Sequence, residues 1–265
     1  MDHKERFVRF LLESGALTFG DFILKSGRKS PYMINTGKLD SGVTLSRLGC
    51  FYARTIYEKM ELGVIPKDTS ILFGSAYKGI PLATATAIAL AAAYDIELGY
   101  AFNRKEEKDH GEGGIIVGRK PVPGDKILII DDVMTAGTAL RETVALLKKY
   151  NPDAEVVGSV LAVDRKEHGQ DARLSAVAEA QYEHGFPVFS IIDIDEIVAA
   201  LKIWLDCGDG QRDAGSLSKN EEDNRRADAL RDYYLRNFDS DDGAALPSNE
   251  QIAAIEAYLA GKRAG

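Results

Sequence analysis

The sequence is poor in cysteine and has no long apolar run. Cys50 and Cys207 are the two cysteines in 265 residues; they lie far apart and match no metal-ligand spacing, which fits a reducing compartment. No stretch approaches the ~18 consecutive apolar residues of a membrane span. The first residues carry acids and no apolar segment before a cleavage site, so no signal peptide is expected. We therefore expect a cytoplasmic protein with no membrane partner.

Two nucleotide-binding signatures are also missing from the chain. Neither Gly-x-x-x-x-Gly-Lys-Ser/Thr nor Gly-x-Gly-x-x-Gly occurs, which argues against a P-loop and against a dinucleotide fingerprint. The formal net charge of −8 lacks the basic excess typical of nucleic-acid-binding proteins, so we expect no nucleic-acid partner. A small anionic ligand needs only a local cluster of positive charge and remains compatible with this composition.

Short apolar runs alternate with helical patterns along most of the chain. Ile71–Phe73 is followed by the alanine-rich stretch Ile80–Tyr94, and Ile127–Ile130 is followed by Ala139–Tyr150. This alternation predicts an α/β fold with a mostly parallel sheet flanked by helices. Further strands are expected at Val156–Val163 and Val188–Ile192, and further helices at Lys4–Ser14, Leu45–Met60, about 172–184, 193–205 and Ser248–Ala260.

Two stretches interrupt the alternation. Asn103–Gly118 is dense in charge and glycine, and we expect a polar loop there that does not pack. Residues 206 to about 245 hold eleven acidic and six basic residues, so most of the net negative charge resides in them. We expect a single domain over residues 1–265 with a polar acidic insertion at about 206–245.

The strongest chemical signal is Ile127–Ala139. A buried strand ends in two carboxylates, Asp131 and Asp132, and small or hydroxylated residues then open a helix. Ligands of open α/β sheets bind at such strand ends, and a helix N-terminus with small residues accepts a phosphate. Because the two acids would repel a phosphate, we expect them to accept hydrogen bonds from sugar hydroxyls. The pattern predicts a ribose-phosphate site; an acidic turn with a capping threonine is the alternative interpretation.

This segment resembles the phosphoribosyl-pyrophosphate motif of the type I phosphoribosyltransferases. Three further stretches, Leu24–Tyr32, Gly74–Pro81 and Phe102–Gly114, resemble orotate phosphoribosyltransferases in the same order along the chain. The resemblance covers roughly residues 5–205 and resumes in the last ~20. It implies the type I phosphoribosyltransferase fold, with a small hood formed by the N- and C-terminal segments.

The resemblance implies roles for individual residues. Lys78, on a loop between two glycines at a strand end, and Tyr77 would face the pyrophosphate, and the peptide bond before Tyr77 would be cis. The implied catalytic residues are Lys108, Lys78, Arg104, Asp131 and Asp132. The implied binding residues for phosphoribosyl pyrophosphate are Lys25, Tyr77, Lys78, Arg104, Lys105, Lys108, His110, Asp131, Asp132, Val133, Met134, Thr135, Ala136, Gly137, Thr138 and Ala139.

The base site is implied by a second group of residues. Arg165 follows the strand at 156–163 and matches the family's arginine for the orotate carboxylate, which a guanidinium binds in bidentate fashion. The implied orotate-binding residues are Met33, Ile34, Thr135 and Arg165. Met33 and Ile34 stand where the family often has two phenylalanines, which removes an aromatic stacking surface.

The implied reaction converts orotate and phosphoribosyl pyrophosphate into orotidine 5′-monophosphate and pyrophosphate, as in pyrimidine biosynthesis. Mg²⁺ would arrive with phosphoribosyl pyrophosphate and would have no direct protein ligand. The segment 103–118 would act as a lid that reaches the neighbouring subunit's site in a homodimer, with Lys108 facing the leaving pyrophosphate. Two alternatives stay open at this point: a purine phosphoribosyltransferase, and a non-enzymatic regulator that senses phosphoribosyl pyrophosphate and binds nucleic acid.

Overall fold

The structure is a computed structural model that describes residues 2–23, 29–108, 114–169, 173–207 and 247–264. In chain order its elements are α1 (His3–Glu13), β1 (Leu17–Ile23), β2 (Lys29–Ile34), a 3₁₀ turn (Thr36–Lys38), α2 (Gly42–Glu61), β3 (Ile71–Gly74), α3 (Gly79–Tyr94), β4 (Gly99–Lys108), β5 (Gly114–Gly118), β6 (Lys126–Val133), α4 (Thr138–Tyr150), β7 (Glu155–Asp164), α5 (Ala176–His184), β8 (Val188–Asp193), α6 (Ile194–Cys207) and α7 (Asn249–Ala264). Strands and helices alternate over most of the chain, as the sequence predicts, apart from the consecutive strands β1–β2 and β4–β6.

Six strands form the central sheet in the order β5-β4-β3-β6-β7-β8. All neighbours are parallel except β4 and β5. At the end of β3, Gly74 pairs with Phe102 of β4 on one side and with Ile130 of β6 on the other. The chain runs outward from β3 to β4 and later outward from β6 to β7, so the connections after β3 and β6 leave in opposite directions. Ligands of open α/β sheets bind at such a reversal point.

Both faces of the sheet are covered. On β6, Leu128 and Ile130 belong to the core shared with α2 and α3, whereas Ile127 and Ile129 belong to the core shared with α4. All four side chains are buried. A strand buried on both faces reads as a continuous apolar run, which explains why these strands were predictable.

A smaller unit packs beside the sheet. The strands β1 and β2 form an antiparallel hairpin, and α7 returns to contact β2 and α6. Ile252, Ile255 and Leu259 bury one side of α7 in the core. The Ser248 hydroxyl accepts a hydrogen bond from the Gln251 N–H at 3.3 Å, as expected of the residue that caps this helix. The expected fold, including this hood, is confirmed.

The expectation of a polar loop over Asn103–Gly118 is wrong. Its described residues form the outer half of β4 and all of β5, paired from Ala101–Gly118 to Lys108–Gly114, and Ile116 is buried. Beyond Phe102, β4 has left its pairing with β3 and forms a two-stranded arm with β5. Strands that project beyond a sheet keep solvent on their faces and need no apolar run, so polarity alone did not exclude them.

Two further findings bear on the expected organisation. Residues 208–246, which include most of the predicted acidic insertion, lie outside the described residues. In the described part of the chain, every helix is too short or too polar to cross a membrane.

Candidate active site

The candidate site lies at the carboxyl ends of β3 and β6, where the two connections diverge. A cavity of about 310 Å³ opens there. It is lined by Ser75 from the first connection, by Asp131 at the end of β6, and by residues of the second connection and the start of α4. Of the predicted site residues, Asp131, Val133, Met134, Thr135, Gly137, Thr138 and Ala139 line this cavity.

The loop between β3 and α3 approaches β6 very closely. A Cβ atom on Gly79 would lie 2.7 Å from the Gly74 carbonyl carbon and 2.9 Å from the Ile130 oxygen, so only glycine fits. The Ala76 N–H donates to the Asn103 side-chain oxygen at 3.0 Å. The peptide bond between Ala76 and Tyr77 is cis, as the resemblance implies. These contacts fix the backbone from which Tyr77 and Lys78 project.

The loop between β6 and α4 presents a helix N-terminus to the cavity. Gly137 precedes α4 with φ of 72°, in the left-handed region that glycine adopts without strain, and it has no side chain to cap the first-turn N–H groups. The Ala136 carbonyl accepts a hydrogen bond from Arg141 Nη1 at 2.6 Å. Arg141 in turn pairs with Glu179 and Glu183 of α5. The N–H groups and positive dipole end of α4 can therefore receive an anion.

The two carboxylates of the motif face opposite sides of the sheet because they are consecutive in a strand. Asp131 faces the cavity, where burial and the charge of Asp132 raise its pKa to about 7. Asp132 is buried on the other side and accepts a hydrogen bond from the Thr36 hydroxyl at 2.6 Å. The pair therefore offers two separately oriented acceptors.

Lys78 joins the loop after β3 to the end of β6 through an ion pair with Asp132. Its Nζ lies 2.5 Å from Asp132 Oδ2 and 3.4 Å from the Thr36 hydroxyl. The lysine side chain is 58% exposed, whereas that of Asp132 is 7% exposed. An incoming anion could draw this ammonium away from the carboxylate at modest cost, because partly exposed ion pairs are weak.

The predicted lid residues are partly described. Arg104 is half-buried on β4, and Lys105 Nζ lies 4.9 Å from the centre of the Tyr77 ring, within cation–π distance. The arm thus brings Lys105 to the loop that follows β3. The backbone of Lys108 ends β4, but its side chain lies outside the described part of the chain, as do Lys25 and His110.

Of the predicted base-site residues, Arg165 follows β7, Met33 and Ile34 lie on β2, and Thr135 lines the cavity. Arg165 is buried, and its guanidinium carbon lies 5.1 Å from the centre of the Tyr32 ring. Burial raises the pKa of Tyr32 to about 12, so this phenol stays neutral. On the same strand Ile34 is buried beside the core and Met33 is half-buried. The aromatic ring that faces Arg165 is therefore that of Tyr32, next to the positions where the family often has phenylalanines.

Some residues in contact with this site had no signal in the sequence. Thr36 contacts Asp132, which is 96 positions away in sequence, and Tyr258 contacts Glu167, which is 91 positions away. Neither contact belongs to a local spacing pattern, so only the fold could reveal them. Glu167 alone had a hint in the sequence, because it lies two residues beyond Arg165.

The fold and the site together define the class of the protein. A mostly parallel sheet whose central strand end carries two acids and an open helix N-terminus is the arrangement of a phosphoribosyltransferase. The phosphoribosyl transferase domain family matches residues 52–184, which include β3, β6 and the cavity between them.

Individual relatives narrow this class. The chain is 54% identical over 200 residues to an orotate phosphoribosyltransferase of Bifidobacterium adolescentis, covering 76% of this chain and 85% of that protein. It is 45% identical over 238 residues to an orotate phosphoribosyltransferase of Chromohalobacter salexigens, covering 88% and 94%. A crystal structure of the Francisella tularensis orotate phosphoribosyltransferase matches with a TM-score of 0.65 at 35% identity, covering 87% of this chain and 98% of that one. The chain belongs to the orotate phosphoribosyltransferase family.

Proposed function

We propose that this chain transfers the 5-phosphoribosyl group of phosphoribosyl pyrophosphate to orotate, giving orotidine 5′-monophosphate and pyrophosphate in pyrimidine biosynthesis. One observation carries the proposal: the carboxylate of Asp131 and the open N-terminus of α4 line the same cavity. A ribose phosphate has this combination of chemistry, with an anion at one end and hydroxyl donors beside it. The family relationship supports orotate as the acceptor.

The residues of the cavity suggest how the substrate is held. The 5′-phosphate would bind at Thr135–Ala139, where backbone N–H groups and the hydroxyls of Thr135 and Thr138 converge. The ribose hydroxyls would donate to Asp131 and Asp132. Because a hydroxyl donor favours the ionised carboxylate, binding would lower the raised pKa of Asp131 and release a proton.

The diphosphate would bind on the other side of the ribose. Lys78 and the backbone of the loop after β3 lie at this edge, where Lys105 of the same chain lies over the Tyr77 ring, and Arg104 would approach on the closing arm. Negative charge develops on the leaving diphosphate during the reaction. Cations that approach it in the transition state lower the barrier more than cations that bind only the ground state.

Mg²⁺ fits this edge as a metal carried by the substrate. This hard cation prefers oxygen ligands and usually keeps several waters, so Asp131 and Asp132, which would hold the ribose hydroxyls, would contact it only through the substrate and its bound water. Among the described residues, no group of three or more histidine, cysteine or acidic side chains forms a protein cage. Substrate oxygens and water would supply the ligands, and the bound metal would neutralise charge on the diphosphate.

A homodimer is part of the proposal, and α3 supports it. This 16-residue helix carries no charged side chain, yet Ile88 on its outer side is 63% exposed. A helix that is apolar all round is usually buried on all sides. We infer that α3 packs against a second copy of the chain and that the β4–β5 arm of one subunit closes over the site of the other.

The free thiol of Cys50 is compatible with a cytoplasmic location.

A direct assay tests the activity. The purified protein is incubated with orotate and Mg²⁺, with and without phosphoribosyl pyrophosphate, and the loss of orotate absorbance is followed. We expect orotate to disappear only when phosphoribosyl pyrophosphate is present, with pyrophosphate formed in equal amount. Consumption of adenine, guanine or hypoxanthine in place of orotate would instead indicate a purine enzyme.

A further inference from the structure

Glu167 is a buried carboxylate that takes no direct part in the proposed reaction. It is 6% exposed and lies two residues beyond Arg165. Its Oε1 atom is 3.3 Å from Arg165 Nη2 and 2.8 Å from Lys262 Nζ, and accepts a hydrogen bond from the Tyr258 hydroxyl at 3.2 Å. A buried charge is tolerated only when it is paired in this way.

Arg165 keeps donors available despite its burial. Among the described residues, its Nε and Nη2 atoms have no hydrogen-bond acceptor, because the contact of Nη2 with Glu167 has the distance of an ion pair and not the geometry of a hydrogen bond. The Tyr32 ring covers the guanidinium from one side. Glu167 therefore fixes the charge of Arg165 in place without saturating its N–H groups.

The last helix supplies the groups that share Glu167 with Arg165. Tyr258 and Lys262 are four residues apart on α7, so their side chains lie on one face of the helix. The backbone carbonyl of Lys262 is also within 2.9 Å of His168 Nε2. The contacts of Glu167 with Tyr258 and Lys262, and that of His168 with the Lys262 carbonyl, therefore join α7 to the segment that follows β7.

We propose that Glu167 is a positioning residue for Arg165, and that Tyr258 and Lys262 of α7 tune this pair so that the guanidinium binds the carboxylate of the base. The inference rests on the proposed function and on the role that the family resemblance implies for Arg165, which is to bind the orotate carboxylate. Without Lys262 the whole negative charge of Glu167 falls on Arg165 and competes with the substrate carboxylate. Without Glu167 the guanidinium loses the anion that holds it beside Tyr32.

Steady-state kinetics, with each substrate varied in turn, measures the KM for orotate and the KM for phosphoribosyl pyrophosphate separately. We expect Glu167→Gln to raise the KM for orotate about tenfold, since small displacements of a binding group have effects of this order or larger. The KM for phosphoribosyl pyrophosphate should change less than about twofold. Lys262→Met should also raise the KM for orotate, and Lys262→Arg should restore it because the positive charge returns.

The matched control is Asp125→Asn. Asp125 is equally buried and pairs with Arg119 at 2.8 Å, but it lies before β6, at the opposite edge of the sheet. This variant should lower the melting temperature without a selective change in the KM for orotate. If Glu167→Gln prevents folding, the two Lys262 variants decide the matter.

Two outcomes would overturn the inference. One is an equal change in both KM values for Glu167→Gln or Lys262→Met; the other is an unchanged KM for orotate in folded variants. Failure of the proposed function gives a different pattern. In that case wild-type protein does not consume orotate, or Arg165→Ala leaves the KM for orotate unchanged.

Discussion

Lys78 Nζ lies 2.5 Å from Asp132 Oδ2, so the cation expected to meet the diphosphate pairs with a carboxylate expected to meet the ribose. The contact joins the connection after β3 to the end of β6. On the proposed function, substrate binding would separate the two groups, and each would gain a new partner: the diphosphate for Lys78 and a ribose hydroxyl for Asp132. The free site is therefore internally compensated, which limits the cost of keeping an acid buried there.

The first prediction concerns this lysine. Lys78→Ala should lower kcat/KM for phosphoribosyl pyrophosphate about 100-fold, because it removes a cation from the diphosphate side of the site. Titration with pyrophosphate should show weaker binding as well. Lys67→Ala is the control, since Lys67 is an exposed lysine that also pairs with a carboxylate, that of Glu61. Equal effects of the two substitutions would contradict a specific role for Lys78.

The second prediction concerns the arm. Lys108→Ala should lower kcat much more than it raises either KM, because a closing cation acts mainly on charge that develops in the transition state. Steady-state kinetics with each substrate varied in turn measures this. Lys120→Ala, which removes an exposed lysine just beyond β5, should leave kcat unchanged. Near-wild-type turnover of Lys108→Ala would refute the closing role.

The third prediction concerns backbone packing. Gly79→Ala should destabilise the protein by about 1–3 kcal/mol, because its Cβ would meet backbone atoms of Gly74 and Ile130 at less than 3.0 Å. Thermal or urea unfolding measures the loss. Gly261→Ala is the opposite control. It places a methyl group in open space on α7 and should stabilise the helix by roughly 0.5–1 kcal/mol.

The fourth prediction concerns pH. Burial and Asp132 raise the pKa of Asp131 to about 7, so folding favours the neutral acid. This stabilising contribution is complete below the ordinary pKa of 3.8 and is lost as the pH rises through about 7. Asp131→Asn keeps a neutral side chain at every pH. Its melting temperature should therefore rise relative to wild type between about pH 5 and about pH 8.

For Asp125→Asn, the melting temperature relative to wild type should change with pH in the opposite direction. Burial opposes ionisation of Asp125, but hydrogen bonds from the Val122 N–H and the Ser70 hydroxyl outweigh it and lower the pKa. The ionised carboxylate therefore stabilises the fold above the ordinary pKa, and this contribution is lost in acid. The variant should be less stable than wild type at neutral pH, with the difference shrinking in acid. Parallel pH profiles of the two variants would contradict the assignment of Asp131.

The fifth prediction concerns assembly. Ile88→Arg places a charge on the exposed apolar side of α3 and should convert a dimer into a monomer. Sedimentation velocity at several protein concentrations measures the change. Tyr182→Arg, at an 87% exposed position on α5, should leave the assembly intact. A wild-type protein that sediments as a monomer at all concentrations would refute the dimer.

Much of the fold followed from local patterns. The strands that end at Gly74 and Val133 are apolar on both faces, and glycine or threonine marks the start of the helix after each. The parallel strand ends then had to share an edge, which is why the cavity residues Thr135, Gly137, Thr138 and Ala139 were predictable together. The outer part of β4 escaped prediction because its residues, such as Lys105, are polar and half of its pairing is with β5 alone.

Contacts between distant segments could not be predicted in the same way. Nothing near Thr36 indicates that its hydroxyl meets Asp132, and nothing near Lys262 indicates that it meets Glu167. Such pairs depend on how α7 and the β1–β2 hairpin dock, and docking follows from the shape of the whole core. The sequence predicts which charged residues lie at the site, but it does not predict which of them pair with one another.

The return of α7 has a consequence for synthesis of the chain. The phosphoribosyl side of the site is made of β3, β6 and α4, all of which emerge before residue 151. On the proposal made above, the base side of the site is complete only after Tyr258 and Lys262 have been synthesised, about a hundred residues later. A nascent or truncated chain that stops before α7 would therefore hold the sugar phosphate but discriminate poorly between bases. On this proposal, base selectivity would therefore depend on the docking of α7 and not on the phosphoribosyl side of the site.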